Sequence, residues 1–375
     1  NDALDKVLGK AIYADDMKFD NMLYAKILRS PVAHARVKSV DTSLAEKLDG
    51  VRAVLTAKDV PGENRVSFLG GLFKDQPVLV EDKVRMVGDP IATVAADSEE
   101  IASKALKLIK VEYEELKAIF EPVEAMSEDA PRVHDKSNAA GHRKIRKGDV
   151  NKGFAKSDII IAGTYRTPFH EHAPLEPEAG IAAVDSQGNI TVWTCTQYAY
   201  FVRQDVARVL GVSFNKVRII QTVTGGGFGT KIDVSVQCYI ALLALKTGRP
   251  VKLVFTREES ILVTTKRHPF IVNYKTGATK EGKLLAVEVK IIGDTGAYMS
   301  EGLGVMTRSA VHATGPYDVP NVKVDSYTVY TNNPIAGAMR GFGLPQIAVA
   351  YESQLEKLAV ELGIDPIDLR LKNAF

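Results

Sequence analysis

One stretch constrains the fold more than any other: Thr224-Gly225-Gly226-Gly227-Phe228-Gly229-Thr230-Lys231. Four glycines in five positions cost backbone entropy, so they serve positive φ angles or a close approach to something. The apolar run Val217-Arg218-Ile219-Ile220 before it reads as a strand, and Val234 to Lys246 after it as a helix. Strand, glycine-rich loop and helix start together turn backbone N–H groups toward an anion. A phosphate or pyrophosphate cofactor is one reading; a tight turn without a ligand is the other. Phe228 weighs against the plain turn, which gains nothing from a bulky aromatic. Two phosphate templates do not fit. Lys231 follows Thr230 and precedes Ile232, unlike the Gly-Lys-Ser/Thr of a Walker A loop. The third Gly of a dinucleotide fingerprint falls on Thr230 or Ile232.

At 375 residues two domains are expected. An apolar content of 45% with 25% charged residues is that of a soluble globular protein. Forty-eight basic against 46 acidic residues leave +2, no footprint for nucleic acid or a membrane surface. No apolar run reaches the roughly 18 residues of a membrane span. The start, Asn1-Asp2-Ala3-Leu4-Asp5, is no signal peptide, and without Met a natural N-terminus is expected upstream. Cys195 and Cys238 form no CxxC pair. That excludes a zinc or iron–sulfur site made by this chain and points to a reducing, cytoplasmic location.

Residues 1–120 read as a small α/β domain. Met22 to Leu28, Val51 to Leu55 and Val111 to Leu116 are strand-like, and Arg29-Ser30-Pro31 ends the first. Lys83 to Ala96 reads as two strands turned at Gly88-Asp89-Pro90. Asp97-Ser98-Glu99-Glu100 opens a helix whose inner face is Ile101, Ala105, Leu108 and Ile109. His34 and His134 stand too isolated to be metal ligands. Residues 121–147, polar and proline-bearing, read as a linker. Residues 148–375 read as the second domain. Its strands are expected near 159–161, 190–196, 251–256, 271–277 and 283–292, and its helices over 201–212 and 234–247. A long helix from Pro345 to Leu362 and a short one after Asp365-Pro366 close the chain. Hairpin-like spacings favour mixed sheets, so the class is α/β to α+β.

Three further places could carry chemistry. Trp193-Thr194-Cys195-Thr196-Gln197 is a strand ending in an amide that can donate and accept at once, or simply a solvated strand end. Arg308 follows an expected loop, Gly302-Leu303-Gly304, as a surface charge or a clamp for an anionic substrate. Ala338-Met339-Arg340-Gly341-Phe342-Gly343-Leu344-Pro345-Gln346 sets a cation and an aromatic among glycines before a helix. Two such loops are harder to explain as turns than one.

In this order, Thr194-Cys195-Thr196-Gln197, Gly225-Gly226-Gly227-Phe228-Gly229, Arg308 and Arg340-Gly341-Phe342-Gly343 with Pro345-Gln346 resemble the molybdopterin-binding subunit of the xanthine dehydrogenase and aldehyde oxidase family, the molybdenum hydroxylases. Gly9-Lys10-Ala11, Tyr13, Asp15-Asp16, Arg29-Ser30-Pro31 and His34-Ala35 resemble the family's leading, hammerhead-like domain. The resemblance covers essentially the whole chain. It implies a leading domain (1–120), a linker (121–147) and the first half of the molybdenum cofactor-binding domain (148–375).

The resemblance also implies roles. Gln197 matches the Gln whose amide approaches an oxo ligand of molybdenum. Gly227, Phe228 and Gly229 match the loop reaching the metal's ligand shell, and Arg340 with Gly341 the loop along the pterin dithiolene. Arg308 matches the substrate-facing cation and Phe342 the aromatic that stacks on a flat ring. The metal is held by dithiolene, oxygen and a terminal sulfur or selenium, with no His or Cys ligand. The cofactor is expected in a dinucleotide form, with cytosine. Iron–sulfur clusters and FAD are expected on partner subunits only. The implied reaction is hydroxylation with water-derived oxygen, electrons leaving through the 2Fe–2S and FAD subunits. Two departures matter. Ile232 stands where purine-oxidising members often have Glu, which disfavours xanthine. The family's general base, a Glu, is expected beyond residue 375, on a second molybdopterin subunit or a missing part of this one. Nicotinate dehydrogenase-like enzymes resemble the split case, with a heteroaromatic substrate. Rival readings are a purine dehydrogenase or aldehyde oxidoreductase subunit, a non-catalytic cofactor carrier or assembly protein, and an ATP-binding protein.

Overall fold

A computed structural model describes residues 3–68 and 73–375; Asn1 and Asp2 of the start read above lie outside the described residues. Two compact units share the chain. One comprises Asn1–Ala118, Glu171–Thr265 and Asn332–Ile335, the other Ile119–His170, Lys266–Thr331 and Ala336–Phe375.

The first unit is built on a mixed seven-stranded sheet. Its order is Val217–Gln221, Ile190–Thr194, Ala179–Val184, Val251–Val254, Leu23–Arg29, Pro90–Ala96 and Val51–Leu55. The pairing of Leu23–Arg29 with Val251–Val254 is parallel and joins strands from both sides of residue 120. One core follows: Leu23, Ala25 and Ile27 are buried with Ile190, Val192, Val206 and Leu253. The helix Gln237–Thr247 is apolar all round, and its residues from Gln237 to Ala244 are buried. Such a helix belongs inside a core rather than on a surface. It ends at Gly248, whose φ of 65° supplies the left-handed C-cap. The helix Ala199–Leu210 ends the same way at Gly211.

The second unit holds a five-stranded sheet, ordered Ile159–Thr167, Phe270–Ala278, Leu284–Gly296, Asn321–Tyr330 and Ala139–Lys147. The expected hairpin of the second and third of these strands is present and antiparallel. The closing helices are Leu344–Leu362 and Pro366–Asn373; Asp365 caps the latter by accepting from Ile367 and Asp368 N–H groups. In the longer helix Ile347, Ala350, Tyr351, Gln354, Leu355 and Leu358 recur at helical spacing and form the buried stripe.

Three expectations differ from the structure. Within the expected linker 121–147, Ala139–Lys147 is a strand at the sheet edge. Its exposed Arg143, Lys144, Arg146 and Lys147 hide the apolar alternation, and basic residues are what an edge strand carries to avoid pairing with another chain. Lys83–Val84 and Pro90–Ala96 do not pair with each other. Each joins a different sheet, because buried Asp89 accepts the N–H groups of Arg85 and Met86 and closes the intervening turn on itself. Gly302 and Gly304 form no loop; they lie in the helix Gly302–Val311.

Candidate cofactor and substrate site

The strand Ile190–Thr194 delivers Gln197, and the parallel strand Val217–Gln221 beside it delivers the glycine-rich loop. At its tip, Phe228 has φ 55° and Gly229 φ 117°, and Thr230 N–H donates to the Gly227 carbonyl at 3.0 Å. Two consecutive positive φ values inside one i to i+3 bond make a primed turn. A phenylalanine in the left-handed region is strained, and such strain gathers at binding sites. Phe228 is also 48% exposed, so no core contact explains it. Among the described residues the N–H groups of Gly226, Gly227 and Phe228 donate to no acceptor, leaving three successive donors open. Such a row of donors suits an anionic ligand.

Gln197 is exposed, and its side chain is held in one sense. Its Oε1 accepts the Gly229 N–H at 3.0 Å. Only the oxygen can accept, so Nε2 is the outward end. The amide therefore presents a donor, not an acceptor. Gly227 is small for this reason: a Cβ there would stand 2.4 Å from Gln197 Oε1. Lys231 is buried and pairs with Glu176 Oε2 at 2.7 Å, and the same oxygen accepts Gly225 N–H at 2.8 Å. Glu178, two residues on, is fully buried, and burial pushes its carboxyl upward. Burial pushes the Cys195 thiol up to about 11, so it is neither thiolate nucleophile nor ready metal ligand.

The other candidates lie in the second unit. Gly341-Phe342-Gly343 repeats the turn: Phe342 has φ 50°, Gly343 φ 93°, and Leu344 N–H donates to Gly341 O at 3.0 Å. The Gly-Phe-Gly triplet thus makes one local structure twice. Arg340 is exposed, and its carbonyl is held by Arg267 Nη2 at 2.9 Å. Arg267 Nη1 also donates to Gln346 Oε1 at 3.2 Å, tying the loop to the helix that follows. Burial lowers the affinity of the Arg267 guanidinium for its proton, and drives His268 down to about 3, so that ring is neutral. A Cβ at Gly304 would meet the Phe342 ring at 3.0 Å, so the ring lies against this helix. Arg308, one turn on at i+4, shares the face of Gly304 and is exposed. The cation thus stands one helical turn from the position that the ring packs against.

The structure thus groups Gln197 with Gly227, Phe228 and Gly229 in one unit, and Arg308 with Arg340, Gly341 and Phe342 in the other. Glu176 and Arg267 had no sequence signal, and Lys231 was read only as the end of the glycine-rich stretch. Each is a lone charged residue whose use depends on burial or on a loop folded back to it. Among the described residues no three His, Cys, Asp or Glu side chains converge on one point.

Each unit thus carries a glycine-bounded loop of the same build, the first with a row of N–H donors left open among the described residues. Comparison with known proteins gives the particular family. Residues 133–374 match the molybdopterin cofactor-binding domain, and 8–117 the a/b hammerhead domain of aldehyde oxidase and xanthine dehydrogenase. The chain is 50% identical over 373 residues to the nicotinate dehydrogenase large molybdopterin subunit of Eubacterium barkeri, covering all of this chain and 87% of that one. It is 36% identical over 381 residues to the xanthine dehydrogenase molybdenum-binding subunit of Escherichia coli O157:H7, covering all of this chain and 51% of that one. Aldehyde oxidoreductase from Desulfovibrio gigas superposes with a TM-score of 0.95 at 33% identity, over all of this chain and 42% of that one. The chain belongs to the xanthine dehydrogenase and aldehyde oxidase family of molybdenum oxidoreductases, as a molybdopterin-binding subunit. Its fold is the hammerhead domain followed by the cofactor-binding domain. No described helix is long and apolar enough to cross a membrane.

Proposed function

We propose that this subunit serves a molybdenum hydroxylase acting on a small heteroaromatic carboxylate of the nicotinate type. The observation that carries the substrate is the exposed Arg308 one helical turn from Gly304, against which the Phe342 ring packs. Arg favours an anionic group and Phe a flat ring. Ile232, partly buried in the turn Thr230–Ile232, offers no acceptor to a purine N–H. The 50% identity to a nicotinate dehydrogenase subunit supports the same reading.

The residues fit the cofactor. Gly226, Gly227 and Phe228 would give it N–H donors, and Gln197 Nε2 would donate to an oxygen of its metal's ligand shell. The Arg340-Gly341 loop would lie along the pterin. When bound, the cofactor supplies the two-electron chemistry of hydroxylation with water-derived oxygen. The chain's own residues bind, orient and stabilise charge. The dinucleotide form with cytosine, a terminal sulfur or selenium, a general-base Glu on a second molybdopterin subunit, and 2Fe–2S and FAD partner subunits complete the proposal. So do a leading domain over 1–120 and a cofactor-binding domain over 148–375, with the strand Ala139–Lys147 joining the sheet of the latter. Cys195 and Cys238 are free and buried, in keeping with a cytoplasmic location.

The test is metal analysis and turnover of the complex purified through this chain. Molybdenum with turnover of nicotinate supports the proposal. Molybdenum without turnover of any heterocycle or aldehyde makes the protein a carrier, and no molybdenum refutes the cofactor assignment.

A further inference from the structure

The buried Glu176–Lys231 pair has no part in the reading above. We infer that Glu176 is a positioning residue: by tying both ends of the glycine-rich loop to one carboxylate oxygen, it sets where the outward N–H of Gln197 points. This rests on the reading that Gln197 donates to the bound cofactor.

Glu176 Oε2 accepts from Gly225 N–H at 2.8 Å and from Lys231 Nζ at 2.7 Å. Glu176 N–H donates in turn to the Gly225 carbonyl at 3.2 Å. A Cβ at Gly225 would stand 2.6 Å from Glu176 Cβ, so the contact requires glycine there. At the far end, the Lys231 carbonyl accepts Gln197 N–H at 2.8 Å and the Thr196 Oγ1 hydroxyl at 3.3 Å. Between these ends, Gly229 N–H holds Gln197 Oε1 at 3.0 Å. Gln197 is thus fastened at its main chain by residue 231 and at its side chain by residue 229. Both lie in the segment that Glu176 clamps. The side chains of Lys231 and Glu176 are 1% and 10% exposed, so water offers neither a ready replacement partner. Shortening the carboxylate by one methylene leaves its charge but cannot keep both bonds without drawing the loop ends inward.

The test uses the full molybdenum-loaded complex with Glu176→Asp, Gln197→Ala and the double variant. Molybdenum content, kcat per molybdenum, KM and the Mo(V) electron paramagnetic resonance signal are measured for each. Glu176→Asp should keep molybdenum content and KM within about twofold, lower kcat per molybdenum about tenfold and alter the signal. In the Gln197→Ala background it should lower kcat by less than about twofold, because residues acting as one unit are not additive. Glu176→Gln, which keeps an acceptor for Gly225 and loses the charge facing Lys231, should show the same coupling. If the two losses multiply, or only the melting temperature falls, the inference is overturned while the donor reading stands. An unaffected Gln197→Ala refutes the donor reading and this inference with it. Failure of both Glu176 variants to accumulate as loaded enzyme overturns the inference in favour of a role in folding alone.

Discussion

Gln197→Glu isolates the donor that the site presents. The carboxylate has the amide's shape, and one oxygen still accepts the Gly229 N–H now held at 3.0 Å. What disappears is the outward N–H, replaced by a charged acceptor. Gln197 is exposed, so the new charge stays hydrated in the free protein and stability should change by less than about 1 kcal/mol. The loss falls on the reaction. Removing one positioned donor from a developing charge costs roughly 10²–10³ in kcat. Gln197→Ala should lie lower, at about 10- to 100-fold, because water can partly replace an exposed amide. Gln197→Glu adds repulsion and should exceed the Ala loss. The assay is steady-state kcat per molybdenum with content measured on each preparation. If the Glu variant turns over within about twofold of the parent, or faster than Gln197→Ala, the donor argument is wrong.

Three further outcomes follow from the geometry. Gly227→Ala puts a Cβ 2.4 Å from Gln197 Oε1, the far end of a movable side chain. It should therefore lower kcat about as much as Gln197→Ala while the denaturation midpoint barely moves; a large loss of stability would contradict this. Arg308→Met should lower kcat/KM on nicotinate about 10- to 100-fold, the worth of a hydrogen bond to a charged group, and spare neutral aldehydes and neutral heterocycles; equal losses on all would refute the pairing. Buried His268 titrates at about 3 against 6.5 when free. Between those values the unfolded chain binds more protons, so stability is present above pH 6.5 and declines as pH falls toward 3. The decline is on the order of 4 kcal/mol. Denaturant titrations of the parent and of His268→Gln should show the variant losing less over that window.

Much of the cofactor half was legible in sequence because glycine speaks for itself. Clusters at 225–229 and 341–343 announced special backbone, and the structure gives both the same primed turn. The positive φ at Phe228 and Phe342 was not legible, since no side-chain rule predicts an aromatic there. Gly302 and Gly304 misled, because the same residue serves close packing: Gly302 admits Thr295 and Gly304 admits Phe342. The strand Ala139–Lys147 was hidden by the basic residues of an edge. Glu176 and Arg267 were silent because a charged residue shows its use only through the partners that folding brings to it.

The most direct test of the substrate claim is kcat/KM of the purified, molybdenum-loaded complex on nicotinate, xanthine, hypoxanthine and a simple aldehyde, measured side by side. The exposed Arg308, one turn from where the Phe342 ring packs, and the apolar Ile232 that ends the first loop predict nicotinate ahead of xanthine by at least about tenfold. Xanthine ahead by about tenfold or more would contradict the account and make this the subunit of a purine hydroxylase.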